Sequence, residues 1–342
     1  MKISDMLRRG LRRWVTVRDC PSRTGAAAAS MLCILLTLCV WHVLTAGPVQ
    51  DRTIDPLTLP SLKETVNSFH SLWFERAVAR GAFWSLGRVL AGFLLGAGIG
   101  VPLGVTAASF RRLYAFMNPL SIFGRNVPIA ALIPLTLIWF GIGETQKVMF
   151  IFLATVAFIF FDAANAVDGV SEAYLDSAYT LGARFVPRHG ALWALAAGIA
   201  YAAAFGAAYC ILVSRPAEAE LASAWNGNLG LAVGTGLVLG FVLWFPIVAF
   251  QVVRKALFAL ALPDIVNSLR LLFGIAFGYI MLAEVINADY GLGSIIITSQ
   301  RRGPREHIYL SLILIALLAF AIDRGILVAQ RRLFPYRASG GR

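Results

Sequence analysis

The side chains able to bind a metal or attack a substrate are few, and their spacing supports neither chemistry. Histidines stand at 42, 70, 189 and 307, and cysteines at 20, 33, 39 and 210. The histidines are too scattered for a ligand set, and no cysteine pair has CxxC spacing. Three of the cysteines lie in or beside apolar runs and read as small buried residues. GIGETQK at 141–147 lacks the GK[ST] ending of a phosphate loop, so any ATP chemistry must belong to a partner. Two acids sit within apolar runs: Asp162 in FIFFDAANAV, and Glu284 near the end of its own run. Acids at membrane depth face protein or water, so a role in transport is open for both.

The elements that hold these acids must be membrane helices. Apolar residues make up 58% of the 342 and charged residues 14%. Mean hydropathy is +0.74. Too little polar surface remains to cover a water-facing globule. The formal charge of +12 therefore speaks for a bilayer rather than a nucleic acid, because basic residues gather on cytoplasmic flanks. A crossing needs about 20 apolar residues. Runs at 26–47, 83–110, 119–141, 148–167, 190–214, 229–253, 265–287 and 308–330 meet that need. The expected fold is an all-α polytopic membrane bundle of about eight transmembrane helices.

The expected order is a basic cytoplasmic segment 1–25, a retained anchor 26–47, and an external loop 48–82 with a short amphipathic helix. A transmembrane domain 83–336 and a tail 337–342 follow. The expected inner segments hold about twice as many Lys and Arg as the outer ones, which places both termini in the cytoplasm. The basic outer stretch Arg301, Arg302 and Arg305 runs against that bias. Arg270 and Arg324 read as snorkelling to the inner surface, and Arg88 to the outer one.

Gly92, Gly96, Gly100 and Gly104 recur every four residues and so share one helix face. Small residues let helices approach closely. The ridge serves either packing within the chain or a moving or subunit interface. Pro119, Pro128 and Pro134 fall in one expected crossing. Its backbone pairing must be repaired by neighbours or a cavity. Asn126, Pro128, Pro134 and Asp162 are accordingly the candidate pathway residues, with a kinked packing helix as the alternative.

The segment EAYLDSAYTLG, 172–182, reads as a short amphipathic helix. Glu172, Asp176 and Tyr179 share one face, and Tyr174, Ala178 and Leu181 another. Gly182 supplies the stop. Such a helix either enters a groove on another protein or lies on the lipid surface.

This segment resembles the EAA-type cytoplasmic loop of bacterial ABC importer permeases. Glu172, Ala173 and Gly182 resemble the E, an A and the G of that pattern, and Asp176, Ser177 and Ala178 occupy the triplet in an EAARTLGA-like alignment. SLGRVLAGFLLGAGIGVPLG, NPLSIFGRNVPIAALIPLTLIWFGIGE, SLRLLFGIAFGYIMLAEVINADYGLGSII and LLAFAIDRGILVAQRRLFPY are similar to the nitrate/sulfonate/taurine branch. FQVVRKALFALALPDI, 250–265, resembles the second half of the loop. The resemblance implies a non-enzymatic transport subunit of the bacterial inner membrane that imports a small anion. It implies a cytoplasmic ATPase dimer that carries ATP and Mg, an external solute-binding protein and a second permease copy. This chain would itself bind no cofactor. Glu172, Ala173, Asp176, Ala178, Gly182, Arg254, Lys255 and Pro263 would form the ATPase-docking set. An ion-gradient-driven carrier and a non-transporting scaffold are the rival readings.

The pattern is broken in three places. Ala259 stands where the family has its first loop proline, and Asn126 where proline is frequent. About 64 extra residues separate Gly182 from Pro263. They hold two apolar runs and resemble a helical hairpin, about 186–249, set into the docking loop of a six-helix permease. The hairpin is either passive, a modifier of docking, or a recruiting surface.

Overall fold

The computed structural model describes residues 22–48, 50, 52, 54–213, 229–287, 290–302 and 304–335. The basic segment before Ser22, the connector containing Arg215 and the tail 337–342 lie outside the described residues. Among the described residues the structure is helical, with a single isolated bridge between Phe185 and Phe250. The chain divides into two units, one ending at His70 and one beginning at Ser71.

The first unit carries α1, Arg23–Leu44. Ser22 caps it through its hydroxyl, which accepts from the Gly25 amide at 3.1 Å. Cys33 and Cys39 are exposed on α1, contrary to expectation, because no described residue of this unit covers that part of the helix. The chain continues into α2, Leu62–Asn67, closed by a capping box between Ser61 and Glu64. Arg52 grips the Glu64 carboxylate at two points, 2.8 and 3.1 Å. The Trp41 indole donates to the Pro60 carbonyl at 3.0 Å.

The second unit opens, beyond α3 (Phe69–Phe74), on α4, Val78–Ser109. Its glycine ridge faces α7, Glu144–Asp168. A Cβ on Gly92 would lie 2.5 Å from the Val148 carbonyl oxygen, and one on Gly104 only 2.4 Å from that of Phe160. Backbone therefore packs on backbone. Gly92 meets Ile151, Gly96 meets Thr155, and Gly104 meets Ala163, so α4 and α7 run in the same direction.

Parallel neighbours require the chain between them to return across the bundle. That return is made by α5, Arg111–Asn126, a short tight turn Ile129–Ala131, and α6, Leu132–Phe140. The expected crossing 119–141 is thus not one kinked helix but two pieces bent by 87°. Pro128 explains the break, since it lacks an amide hydrogen and drives Val127 out of helical geometry. Among the described residues there are thus seven unbroken apolar helices and one bent pair.

The inserted segment forms an antiparallel pair, α9 (Pro187–Val213) and α10 (Leu229–Ala249). Gly190 lies against Ala249, and Gly240 against Gly198. At its base the Val186 amide donates to the Ala249 carbonyl at 2.9 Å, and Gln251 to Arg184 at 3.2 Å. Higher up, the Tyr201 hydroxyl donates to the Gly98 carbonyl of α4 and accepts from the Trp244 indole.

The segment after the hairpin belongs to the next long helix. Residues 250–265 do not form a separate short helix. A wide turn, Val253–Phe258, runs directly into α11, Ala259–Asn287. α12, Leu292–Arg302, and α13, Glu306–Leu333, complete the unit. Arg270 of α11 lies 3.5 Å from Asp323 of α13, so it is paired rather than simply snorkelling.

Candidate functional site

The candidate docking segment forms α8, Glu172–Thr180, at the end of the bundle reached by α7. No residue in it is buried. Leu175 turns toward the core and holds the helix in place. Glu172, Ala173 and Asp176 are exposed, and Ala178 is half-buried. Tyr174, Tyr179 and Leu181 are also open, Leu181 at 87%. Gly182 has φ +80°, in the left-handed region. The Ala183 amide reaches the Ala178 carbonyl at 3.0 Å, and the Gly182 amide reaches Tyr179 at 2.9 Å. This double closure ends the helix and leaves Leu181 projecting.

The second half of the loop lies close by because the hairpin is pinched at its base. Arg254 is half-buried and lines, with Val186, Val248 and Gln251, a cavity of about 150 Å³. Lys255 is exposed. Pro263 lies inside α11, buried, and its carbonyl accepts from Gln330 at 3.1 Å. It is a packing position, not an open one.

The candidate pathway residues gather around the broken crossing only in part. Asn126 is exposed and turns its amide back to the Ile122 carbonyl at 2.9 Å. Pro128 precedes the tight turn, and Pro134 is exposed on α6. Asp162 is half-buried on α7. Arg125, beside Asn126, stacks on Phe161 with its guanidinium carbon 3.4 Å from the ring centre. Among the described residues no group of His, Cys, Asp and Glu is placed to hold a metal.

At the opposite end lies a cluster that sequence reasoning missed. Arg88 does not snorkel outward; its side chain is 3% exposed. Its fork holds Glu144 at 2.5 and 2.7 Å, while Nη1 donates to Glu284 at 2.5 Å and to the Tyr290 carbonyl at 2.6 Å. Glu284 is fully buried and also accepts from Ser85 at 2.7 Å and from the Gly293 amide at 2.9 Å. Lys147 reaches Glu144 at 3.0 Å. Two cations balance two acids, so the buried cluster is neutral. A charge alone at membrane depth would cost about 2.5–3.5 kcal/mol on insertion scales. The signal was present: Arg88, Glu144 and Lys147 fall at the N-terminal ends of their apolar runs and Glu284 at the C-terminal end of its own, and the expected alternation of crossings brings those ends to one side of the bundle.

Comparison with known proteins places this architecture. Residues 100–189 match the family of binding-protein-dependent transport system inner membrane components. That stretch holds part of α4, the bent crossing, α7 and α8. The taurine transport system permease protein TauC of Escherichia coli is 24% identical over 320 residues, spanning 92% of this chain and 91% of that one. The chain is an ABC importer permease. The aliphatic sulfonates transport permease protein SsuC of Bacillus subtilis is 22% identical over 302 residues, 88% of this chain and 85% of that protein. The fold is also that of a chain of the inward-facing methionine ABC transporter MetNI. The TM-score is 0.52 at 18% identity, over 78% of the permease and 98% of that chain. The permease is a multi-pass membrane transport subunit rather than an enzyme, and its family implies an ATPase and a binding protein as partners.

Proposed function

We propose that the permease imports a small anion of the sulfonate, taurine or nitrate kind across the bacterial inner membrane, driven by a cytoplasmic ATPase pair. The observation that carries this reading is the open helix α8. It presents Tyr174, Tyr179 and Leu181 beside the acids Glu172 and Asp176, at the bundle end that also carries Arg111, Arg184 and Lys255. A basic flank marks the cytoplasmic side, and both termini would lie there. An exposed Leu with two tyrosines suits a groove on a protein partner better than water.

ATP and Mg²⁺ belong to that partner. ATP binding draws the two ATPases together, and a second copy of the permease moves with the first. Motion follows only if docking is tighter in one state than in the other. The solute class is carried over from the relatives named for taurine and sulfonates. Those relatives give the ion-gradient alternative no support.

The test joins binding to transport. Leu181→Asp and Asp176→Lys should leave the permease folded in detergent, yet reduce co-purification with its ATPase and abolish ATP-dependent taurine uptake in proteoliposomes. Unchanged co-purification and flux in both variants would remove α8 from the coupling path.

A further inference from the structure

Arg125 occupies the last turn of α5, immediately before the 87° break. Three features occur together at this arginine and at no other membrane arginine among the described residues. One face of its guanidinium is stacked on Phe161. Its Nε is shut off from solvent and has no hydrogen-bond partner. It also belongs to none of the ion pairs of the described residues. Asp162, next to Phe161, is near enough for the two charges to interact without forming such a pair. Gly124 fixes the place, because a Cβ there would meet the Ala157 Cβ of α7 at 2.8 Å.

The depth matters. Phe161 lies about 10 Å along α7 from its Asp168 end at a rise of 1.5 Å per residue, still within the apolar run 148–167. Lipid does not accept a cation with unmet donors, so the open side of Arg125 faces protein or water. The break beside it sharpens the choice. Non-helical backbone at membrane depth is tolerated only where it is buried in protein or lines a water-filled space. Pro128 and Ala130, just past Arg125, are exposed rather than buried.

We propose that Arg125 is an anion-recognition group of the translocation route, receiving the oxyanion head of the solute on its guanidinium N–H groups. This rests on the importer reading above and adds to it the residue that selects the solute's charge. A guanidinium offers parallel N–H donors that match two oxygens of a sulfonate, carboxylate or bicarbonate. Phe161 holds the plane of the fork. Asp162 balances the charge of the empty route while leaving the donors free.

The experiment uses the permease reconstituted with its ATPase and binding protein, with radiolabelled taurine and bicarbonate as probes. Arg125→Gln should lower uptake at least 10-fold while ATP hydrolysis stimulated by the loaded binding protein stays within twofold. Arg125→Lys should fall between that variant and the parent. In a background with Cys20, Cys33, Cys39 and Cys210 replaced by serine, Arg125→Cys should regain uptake after modification by a cationic methanethiosulfonate, and not after a neutral one. These last two arms decide the matter if Arg125→Gln fails to assemble. Normal uptake by Arg125→Gln, equal rescue by both reagents, or a thiol that reacts with neither would overturn this inference alone. A parent complex that moves none of the oxyanion probes would overturn the importer reading and this inference with it.

Discussion

Arg88 and Glu144 join at two points, 2.5 and 2.7 Å, across the matching ends of two helices that run in the same direction. Parallel α4 and α7 thereby carry a clamp at one end and a glycine-lined contact along their length. Glu284 brings α11 into the same clamp from the far side of the sequence.

Removing Arg88 should be the most damaging change to this cluster. Arg88→Gln leaves two buried or half-buried carboxylates short of their counter-charge, and breaking such a pair costs about 3–5 kcal/mol. Glu284→Gln should cost less, since an amide oxygen can still accept from Ser85 and Gly293. Arg88→Lys keeps the charge and loses the fork, so it should lie between them. Thermal unfolding in detergent gives the order. Equal midpoints for Arg88→Gln and the parent would show that the cluster adds nothing to stability.

The glycine contact predicts a sharp contrast between two alanine substitutions. Gly104→Ala places a methyl 2.4 Å from the Phe160 carbonyl oxygen. Overpacking of that kind costs about 1–3 kcal/mol. Gly274→Ala, on α11, meets nothing within 4 Å and should leave the midpoint unchanged. The two variants need only be compared by melting under identical conditions.

The segment of the first unit that holds Arg52 and Glu64 should respond to acid. Arg52, and then the Ser61 amide, hold the Glu64 carboxyl down from 4.5 to about 2. A lowered native pKa means that the stabilisation is complete above about 4.5 and is lost as pH falls through about 2. Hydrogen exchange of the α2 amides, corrected for the intrinsic rate, should therefore accelerate in that window. Glu64→Gln should abolish the pH dependence. Acceleration that persists in Glu64→Gln would assign it to another group.

The long apolar runs were legible because lipid favours apolar side chains over a whole crossing, and the runs at 26–47, 83–110, 148–167 and 308–330 fall closely on α1, α4, α7 and α13. The Gly182 stop was legible for a local reason: its conformation depends on the residue itself. What escaped depended on partners distant in sequence. Arg88 reads as a snorkelling side chain until Glu144, 56 residues on, and Glu284, 196 residues on, are known to meet it. Pro128 and Pro134 announced a disturbed crossing, but only packing of Thr136 against Gln146 of α7 fixes where the second piece lies. Pro263 suggested the end of a loop, whereas the wide turn before it lets a single rod continue.

The pinch between Val186 and Ala249 has a consequence for the chain's history. The excursion through α9 and α10 leaves and rejoins the protein at one address, two hydrogen bonds wide. Whatever was gained or lost between those points shifts no helix register on either side, so this stretch can vary in length as a cassette, held in composition only where Tyr201 and Trp244 meet the bundle.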